Sequence, residues 1–158
     1  MELILWRHAD AGDPDDDPQA DFDRRLSDRG RRQAARMARW LESRLPERYV
    51  VLSSPAPRAR ETADALGQRL RLDERLAPGA SGETILEVAR WFEKRDARSR
   101  HVVLVGHQPS LGAAATMALG CGESPWTIRK AAVLWLVSRP GDSSRSATVK
   151  AALGPDLV

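Results

Sequence analysis

The chain has a single cysteine, Cys121, among 158 residues. One thiol cannot build an internal disulfide framework, and cysteine used this sparingly fits a reducing compartment. Long apolar runs are missing too. No stretch approaches the ~20 apolar residues of a membrane span, and the short run Leu3–Trp6 has no basic segment before it. Neither a membrane association nor a signal peptide is therefore expected. Histidine is scarce, with three residues, and no pair stands at zinc spacing. Repeats, low-complexity tracts and linker-like stretches are absent, so residues 1–158 read as one domain, expected to be cytoplasmic.

Lysine is rare as well. The bases are almost all Arg, which gives a pI of 9.6 on a net charge of only +3. Such a pI invites a nucleic-acid reading. However, Arg29, Arg31, Arg32, Arg36 and Arg39 alternate with apolar positions along a predicted helix. That pattern describes a solvated face, so no nucleic-acid partner is expected.

What is present alternates between strand and helix, the pattern of a parallel α/β sheet. Leu3 to Trp6 form a strand buried on both faces that stops on Arg7 and His8. A polar loop follows from Asp10 to Arg25, with its acidic run at 13–17 read as solvated. Ser27 caps a helix with a stripe of Ala34, Met37, Ala38, Leu41 and Leu45, and Pro46 stops it. Tyr49 to Leu52 form a second strand, followed by a helix with Ala59, Thr62, Ala63, Leu66 and Leu70 on one face. Arg71 to Leu76 read as a short edge strand, and Ser81 caps a helix carrying Ile85, Val88, Ala89 and Phe92. Val102 to Val105 form a buried strand ending on Gly106-His107-Gln108-Pro109. A helix with Leu111, Ala114, Ala115 and Ala118 comes next and ends at Gly120 and Gly122. Ala131–Val137 and Ala147–Leu153 read as a core strand and an edge strand.

In a parallel sheet the carboxyl ends of strands share one edge, where open α/β folds place their ligands. That edge gathers Arg7, His8, the Ser53–Arg58 turn and His107. A phosphoryl group needs cations around its equatorial oxygens and a nucleophile in line. Arg7 and Arg58 offer planar forks matched to phosphate. Arg58 also lies in the first turn of its helix, where free amides favour an anion. A neutral His8 can attack phosphorus through a ring nitrogen, and a protonated His107 would donate to the same phosphate. His101 has no such setting and reads as structural.

Other chemistries fail on their own requirements. Position 127 is Thr where a cysteine-phosphatase loop starting at Cys121 needs Arg. Gly120-Cys121-Gly122 continues to Pro125 where a dinucleotide fingerprint needs Gly, and no Walker lysine loop exists. Ser110 lacks the preceding glycine of a nucleophile elbow.

Arg7-His8-Ala9 resembles the R-H-G/A signature of the histidine phosphatase superfamily, in its phosphoglycerate-mutase-like branch. Ser53-Ser54-Pro55-Ala56-Pro57-Arg58-Ala59-Arg60-Glu61-Thr62-Ala63 is similar to that family's S-S-P-x-x-R-A-x-x-T-A segment, and Gly106-His107-Gln108-Pro109 to the segment of its second histidine. Arg25-Leu26-Ser27-Asp28-Arg29-Gly30 resembles the family's R-x-L-[ST]-x-x-G with its middle residue lacking. The resemblance implies a phosphoglycerate mutase-like, three-layer α/β/α fold: a mostly parallel sheet of about six strands with an antiparallel edge strand. It implies that His8 is phosphorylated, that Arg7, Arg58 and His107 form the phosphate pocket with it, and that no metal or other cofactor is used. A chain this short looks most like SixA-type phosphohistidine phosphatases, with a histidine-phosphorylated protein as partner. A small phosphorylated metabolite is the alternative substrate, and a phospho-ligand binding module without turnover the alternative from another class. For the general acid, Glu83 is the nearby carboxylate, though it equally suits the first turn of its helix. Asp10 is a second candidate. A phosphorylated imidazole has a good leaving group and needs less help from an acid than an alkyl ester does.

Overall fold

The structure, a computed structural model, describes residues 1–91, 101–122, 125–138 and 147–158. Six strands form one sheet: β1 (Glu2–Arg7), β2 (Val50–Ser53), β3 (Leu70–Leu72), β4 (His101–Gly106), β5 (Val133–Val137) and β6 (Thr148–Leu153), in the order β3-β2-β4-β1-β5-β6. β3, β2, β4 and β1 are parallel neighbours. β5 runs antiparallel to both β1 and β6. The edge strand β6 thus pairs antiparallel as expected, while the strand with the reversed direction is its inner neighbour β5.

Alternation along each buried strand sends side chains to both faces. Leu3 and Leu5 join Leu104, Leu134 and Leu136 on one face, under α4 (Gly82–Val88) and α5 (Ser110–Leu119). Ile4 and Trp6 join Val103, Val105 and Trp135 on the other, under α2 (Asp28–Glu42) and α3 (Pro57–Asp64). This is the three-layer arrangement. α2 buries Ala34, Met37, Ala38 and Leu41 and keeps its arginines outside. α5 buries residues around most of its circumference.

Four expectations change. The loop from Asp10 to Arg25 contains a helix, α1 (Pro18–Asp23), capped by Asp17, whose carboxylate accepts from the Ala20 amide at 2.7 Å. α1 buries no residue, so it leaves no apolar period to read. Leu70 belongs to β3 rather than to the preceding helix, because Gly67, at φ +59°, lies between them. The edge strand ends at Leu72, and Asp73 then caps a single 3-10 turn over Glu74–Leu76. Leu45 lies beyond α2, which stops at Glu42. Phe92 falls outside the described residues.

Two glycines fix close approaches that position the site. A Cβ on Gly30 would sit 1.9 Å from the Asp10 carbonyl oxygen. A Cβ on Gly112 would sit 1.8 Å from that of Trp126. The first contact lets α2 start directly beneath the end of the β1 segment, where the Ser27 amide donates to the Asp10 carbonyl at 3.0 Å.

Candidate active site

β1 and its neighbour β4 end together, which delivers the two histidines side by side. Arg7 pairs with Gly106 in register, and the His8 amide still donates to the Gly106 carbonyl at 3.0 Å. The chain then leaves the sheet. The Ala9 amide donates to Thr62 Oγ1 at 3.0 Å, and Thr62 Oγ1 donates to the Arg58 carbonyl at 2.7 Å, so one buried hydroxyl ties the His8 turn to α3. His8 and His107 are both buried, with ring centroids 5.1 Å apart.

The tautomer of His8 follows from its partner. Its Nδ1 lies 2.8 Å from the Ala9 carbonyl oxygen, which can only accept, so Nδ1 carries the proton. Nε2 keeps its lone pair and has no hydrogen-bond partner among the described residues. Burial pushes the His8 pKa down to about 4, helped by Arg58, Arg7 and Arg24 and opposed by the Ala9 bond. The ring is neutral near pH 7. His107 is pushed down to about 3, first by burial and then by His8, Arg58 and Arg7. His107 is therefore uncharged near pH 7 in the free protein. Its Nε2 is 2.8 Å from Ser54 Oγ, which leaves Nδ1 as the ring nitrogen without a partner among the described residues.

Arg7 and Arg58 are both held by backbone oxygens. Arg7 Nη1 donates to the Ile128 carbonyl at 2.8 Å. Arg58 Nη1 donates to the carbonyls of Asp21 and Phe22 at 2.6 and 3.1 Å, and its Nη2 lies 3.5 Å from the Asp21 carboxylate. In both residues Nε is buried without an acceptor. A buried charged donor left unpaired costs about 1–3 kcal/mol or more. Two of them beside two neutral imidazoles form a place for an anion.

Three contributors escaped the sequence reading. Asp21 and Phe22 lie on α1, which was read as loop. Arg24 is the third: its guanidinium bonds the Asp21 carboxylate at 2.9 Å and the Ala11 carbonyl at 3.0 Å, and its charge reaches His8. The motif around it starts one residue earlier than the resemblance at Arg25 implies. Arg24-Arg25-Leu26-Ser27-Asp28-Arg29-Gly30 satisfies R-x-L-[ST]-x-x-G in full. Arg25, the first residue of the shorter match, is exposed and pairs with Glu61 instead.

The acid candidates fare differently. Asp10 is held by Lys130 Nζ at 2.7 Å and Ser27 Oγ at 2.7 Å, and these bonds pull its pKa down to about 2. It carries no proton to donate near neutrality. Glu83 is exposed in the first turn of α4 and makes no hydrogen bond or ion pair with the described residues. His101 pairs with Glu2 at 3.4 Å, away from the site. Among the described residues, no group of three or more His, Cys, Asp or Glu is placed to hold a metal ion, and no helix is long and apolar enough to cross a membrane.

The model of the histidine phosphatase superfamily, branch 1, matches residues 3–83, a span holding Arg7, His8, Arg24 and Arg58. The chain belongs to the histidine phosphatase superfamily. That membership supports a phosphatase. An uncharacterized protein of Picosynechococcus sp. is 34% identical over 145 residues, 87% of this chain and 86% of that one. Among solved structures, a candidate phosphohistidine phosphatase SixA from Nakamurella multipartitia superposes with a TM-score of 0.71 at 27% identity, covering 98% of this chain and 95% of that one. The protein histidine phosphatase SixA complexed with tungstate gives 0.79 at 23% identity, covering 99% of each chain, and shows the shared fold.

Proposed function

We propose that this superfamily member is a metal-independent phosphatase that passes a phosphoryl group through His8 and takes it from a phosphohistidine of a protein. The observation that carries the first half is the His8 ring, neutral and with its proton committed to the Ala9 carbonyl, set beside the unpaired Nε–H groups of Arg7 and Arg58.

In the first step His8 Nε2 attacks phosphorus. A P–N bond to His8 forms as the P–N bond of the substrate breaks, and the substrate ring, already protonated from solvent on its other nitrogen, departs as neutral imidazole. Arg7 and Arg58 hold the equatorial oxygens. Arg24 adds charge from behind, and His107 donates through Nδ1 if Nε2 accepts the Ser54 hydroxyl proton. Water then attacks phospho-His8, the P–N bond breaks, and inorganic phosphate leaves with His8 neutral again. The arginines supply the positive charge that a metal would otherwise provide, and neutral His107 adds a hydrogen-bond donor.

The substrate half rests on the proton supply. His8 and His107 titrate near 4 and 3, and Asp10 near 2, so none of them arrives protonated at pH 7. An alkoxide leaving group needs such a proton, whereas imidazole, with a pKa of ~6.5, leaves without a strong acid. The structural likeness to SixA proteins fits the same substrate. The test compares kcat/KM for a phosphohistidine protein, phosphoramidate and sugar phosphates, with and without chelator. Preference for the P–N substrates by an order of magnitude or more, undiminished by chelator, is the expected result. A wide margin for sugar phosphates makes the protein a small-molecule phosphomonoesterase. No turnover of any of them makes it a binding module.

A further inference from the structure

The carboxyl edge of the sheet continues past His8 on the side away from His107. β1 and β6 run one way and β5 between them the other, so the end of β1, the start of β5 and the end of β6 share that edge. Between these ends and the first turns of α2 lies an open cleft of about 390 Å³. Asp10, Arg29, Gln33, Arg129, Lys130 and Asp156 line it, and Arg36 fastens its outer wall to α2 by donating to the Pro155 carbonyl at 3.0 Å. None of Arg7, His8, Arg58 and His107 lines it, so it is distinct from the phosphoryl pocket. Asp10, two residues beyond His8, connects the two.

The polar groups of this cleft do not balance internally. Lys130 and Asp10 neutralise each other at 2.7 Å. The Gln33 side-chain carbonyl accepts the Asp10 amide at 3.1 Å, which leaves its NH2 group as a donor. Arg29 and Arg129 are exposed, and neither makes an ion pair or side-chain hydrogen bond with the described residues. Asp156 is the one carboxylate left to face them. Two guanidinium groups from segments far apart in sequence thus line one cavity, with an amide donor, and Asp10 ties that cavity to the segment of the reacting histidine. A solvated helix face accounts for Arg29 on its own. It does not account for Arg129, from a distant segment, lining the same cleft.

We propose that this cleft is an oxyanion subsite, taking a second carboxylate or phosphate group of the molecule whose phosphoryl group sits at His8. The inference rests on phosphoryl transfer at His8, as proposed above. Two sources supply that chemistry: an acidic side chain beside the phosphorylated residue of a protein, or the second phosphate of a small bisphosphate.

Two substrate pairs separate them. One is a phosphohistidine peptide with Glu next to the phosphorylated residue against its Gln counterpart. The other is an alkanediol bisphosphate against the matching monophosphate. In at least one pair kcat/KM favours the doubly anionic member about fivefold, the weight of one or two partly exposed charged contacts. The preference fades as salt is raised. The double variant Arg29→Ala/Arg129→Ala brings that ratio to about one, and Arg29→Glu/Arg129→Glu reverses it. Which pair shows the preference identifies the source. Ratios near one in every class that turns over, or a preference that survives both double variants, overturn the subsite. The phosphohistidine reading is judged separately, by the absolute rates of the two substrate classes.

Discussion

The two basic regions on this edge treat arginine in opposite ways. Around His8, Arg7 and Arg58 are anchored on backbone carbonyls and keep buried N–H groups without acceptors. Across Asp10, Arg29 and Arg129 stand in solvent and are anchored on nothing described. The difference is one of dielectric and preorganisation. In the buried region burial first, and the guanidinium charges acting over short distances with little screening second, hold two imidazoles neutral well below their ordinary pKa. In the open region the same side chain pays rotamer entropy on contact and is screened by salt. The buried pair is suited to charge that develops in a transition state, and the open pair to sorting substrates.

The sharpest way to break this contrast is at the centre of the buried region. His8→Ala removes the attacking nitrogen, and kcat is expected to fall by about four orders of magnitude, as when other covalent nucleophiles are deleted. Rapid quench into alkali should also show no phosphorylated protein. Hydrolysis near the native rate in that variant would eliminate the covalent route.

Next in size is Arg58→Lys, which keeps the charge and loses the fork. A lysine cannot span the Asp21 and Phe22 carbonyls while presenting a second N–H to phosphate. The expected cost is about 10²- to 10³-fold in kcat/KM, measured with melting temperature as the folding control. A loss below tenfold would mean that a point charge suffices and that the anchoring carries no weight.

A smaller effect is expected from pH. Protonated His8 has no free lone pair, so kcat/KM should hold as pH falls through 6 and decline about tenfold per unit below pH 4, where His8 titrates. Stability follows with a defined sign. The folded pKa of His8, about 4, lies below the ~6.5 of an unfolded histidine, so between these values the unfolded chain binds more protons. Stability contributed by the neutral ring is present above about pH 6.5 and lost on acidification, by about 3 kcal/mol for His8 at the lower end. Denaturant midpoints at pH 7 and pH 4.5, in the native chain and in His8→Gln, check this. An acid limb near 6.5 would place His8 in a far wetter setting.

Much of the buried region was legible in sequence, because an unbroken apolar strand that stops on a polar residue marks its own exit from the core. Arg7, His8 and His107 were found that way, and Arg58 through its place in a helix's first turn. What could not be read has physical reasons. α1 buries nothing, so it carries no period, yet its carbonyls seat Arg58. Arg24 and Arg25 are the same residue type side by side, and only the spacing of R-x-L-[ST]-x-x-G, counted back from Gly30, separates the one that turns inward from its neighbour. The reversal of β5 leaves no trace in a hydrophobic pattern. The cleft at Arg29 and Arg129 arises from that reversal, and a helical projection shows Arg29 only as part of a solvated face.

The smallest effect is the most informative about substrate. Glu83 caps no backbone amide, bonds no described residue and lies exposed in the first turn of α4, where its charge favours the helix N-terminus by a few tenths of a kcal/mol. On a phosphohistidine substrate, Glu83→Gln should leave kcat within about twofold, since imidazole departs without a strong acid. The same variant assayed on an alkyl phosphate separates the two substrate readings. If Glu83 swings in to protonate an alkoxide, the alkyl rate falls more than tenfold while the phosphohistidine rate stands, which identifies a dual-use site with Glu83 as acid. If neither rate moves, no carboxyl acid acts from this position. The preference for P–N bonds is then set by the leaving group, with no contribution from Glu83.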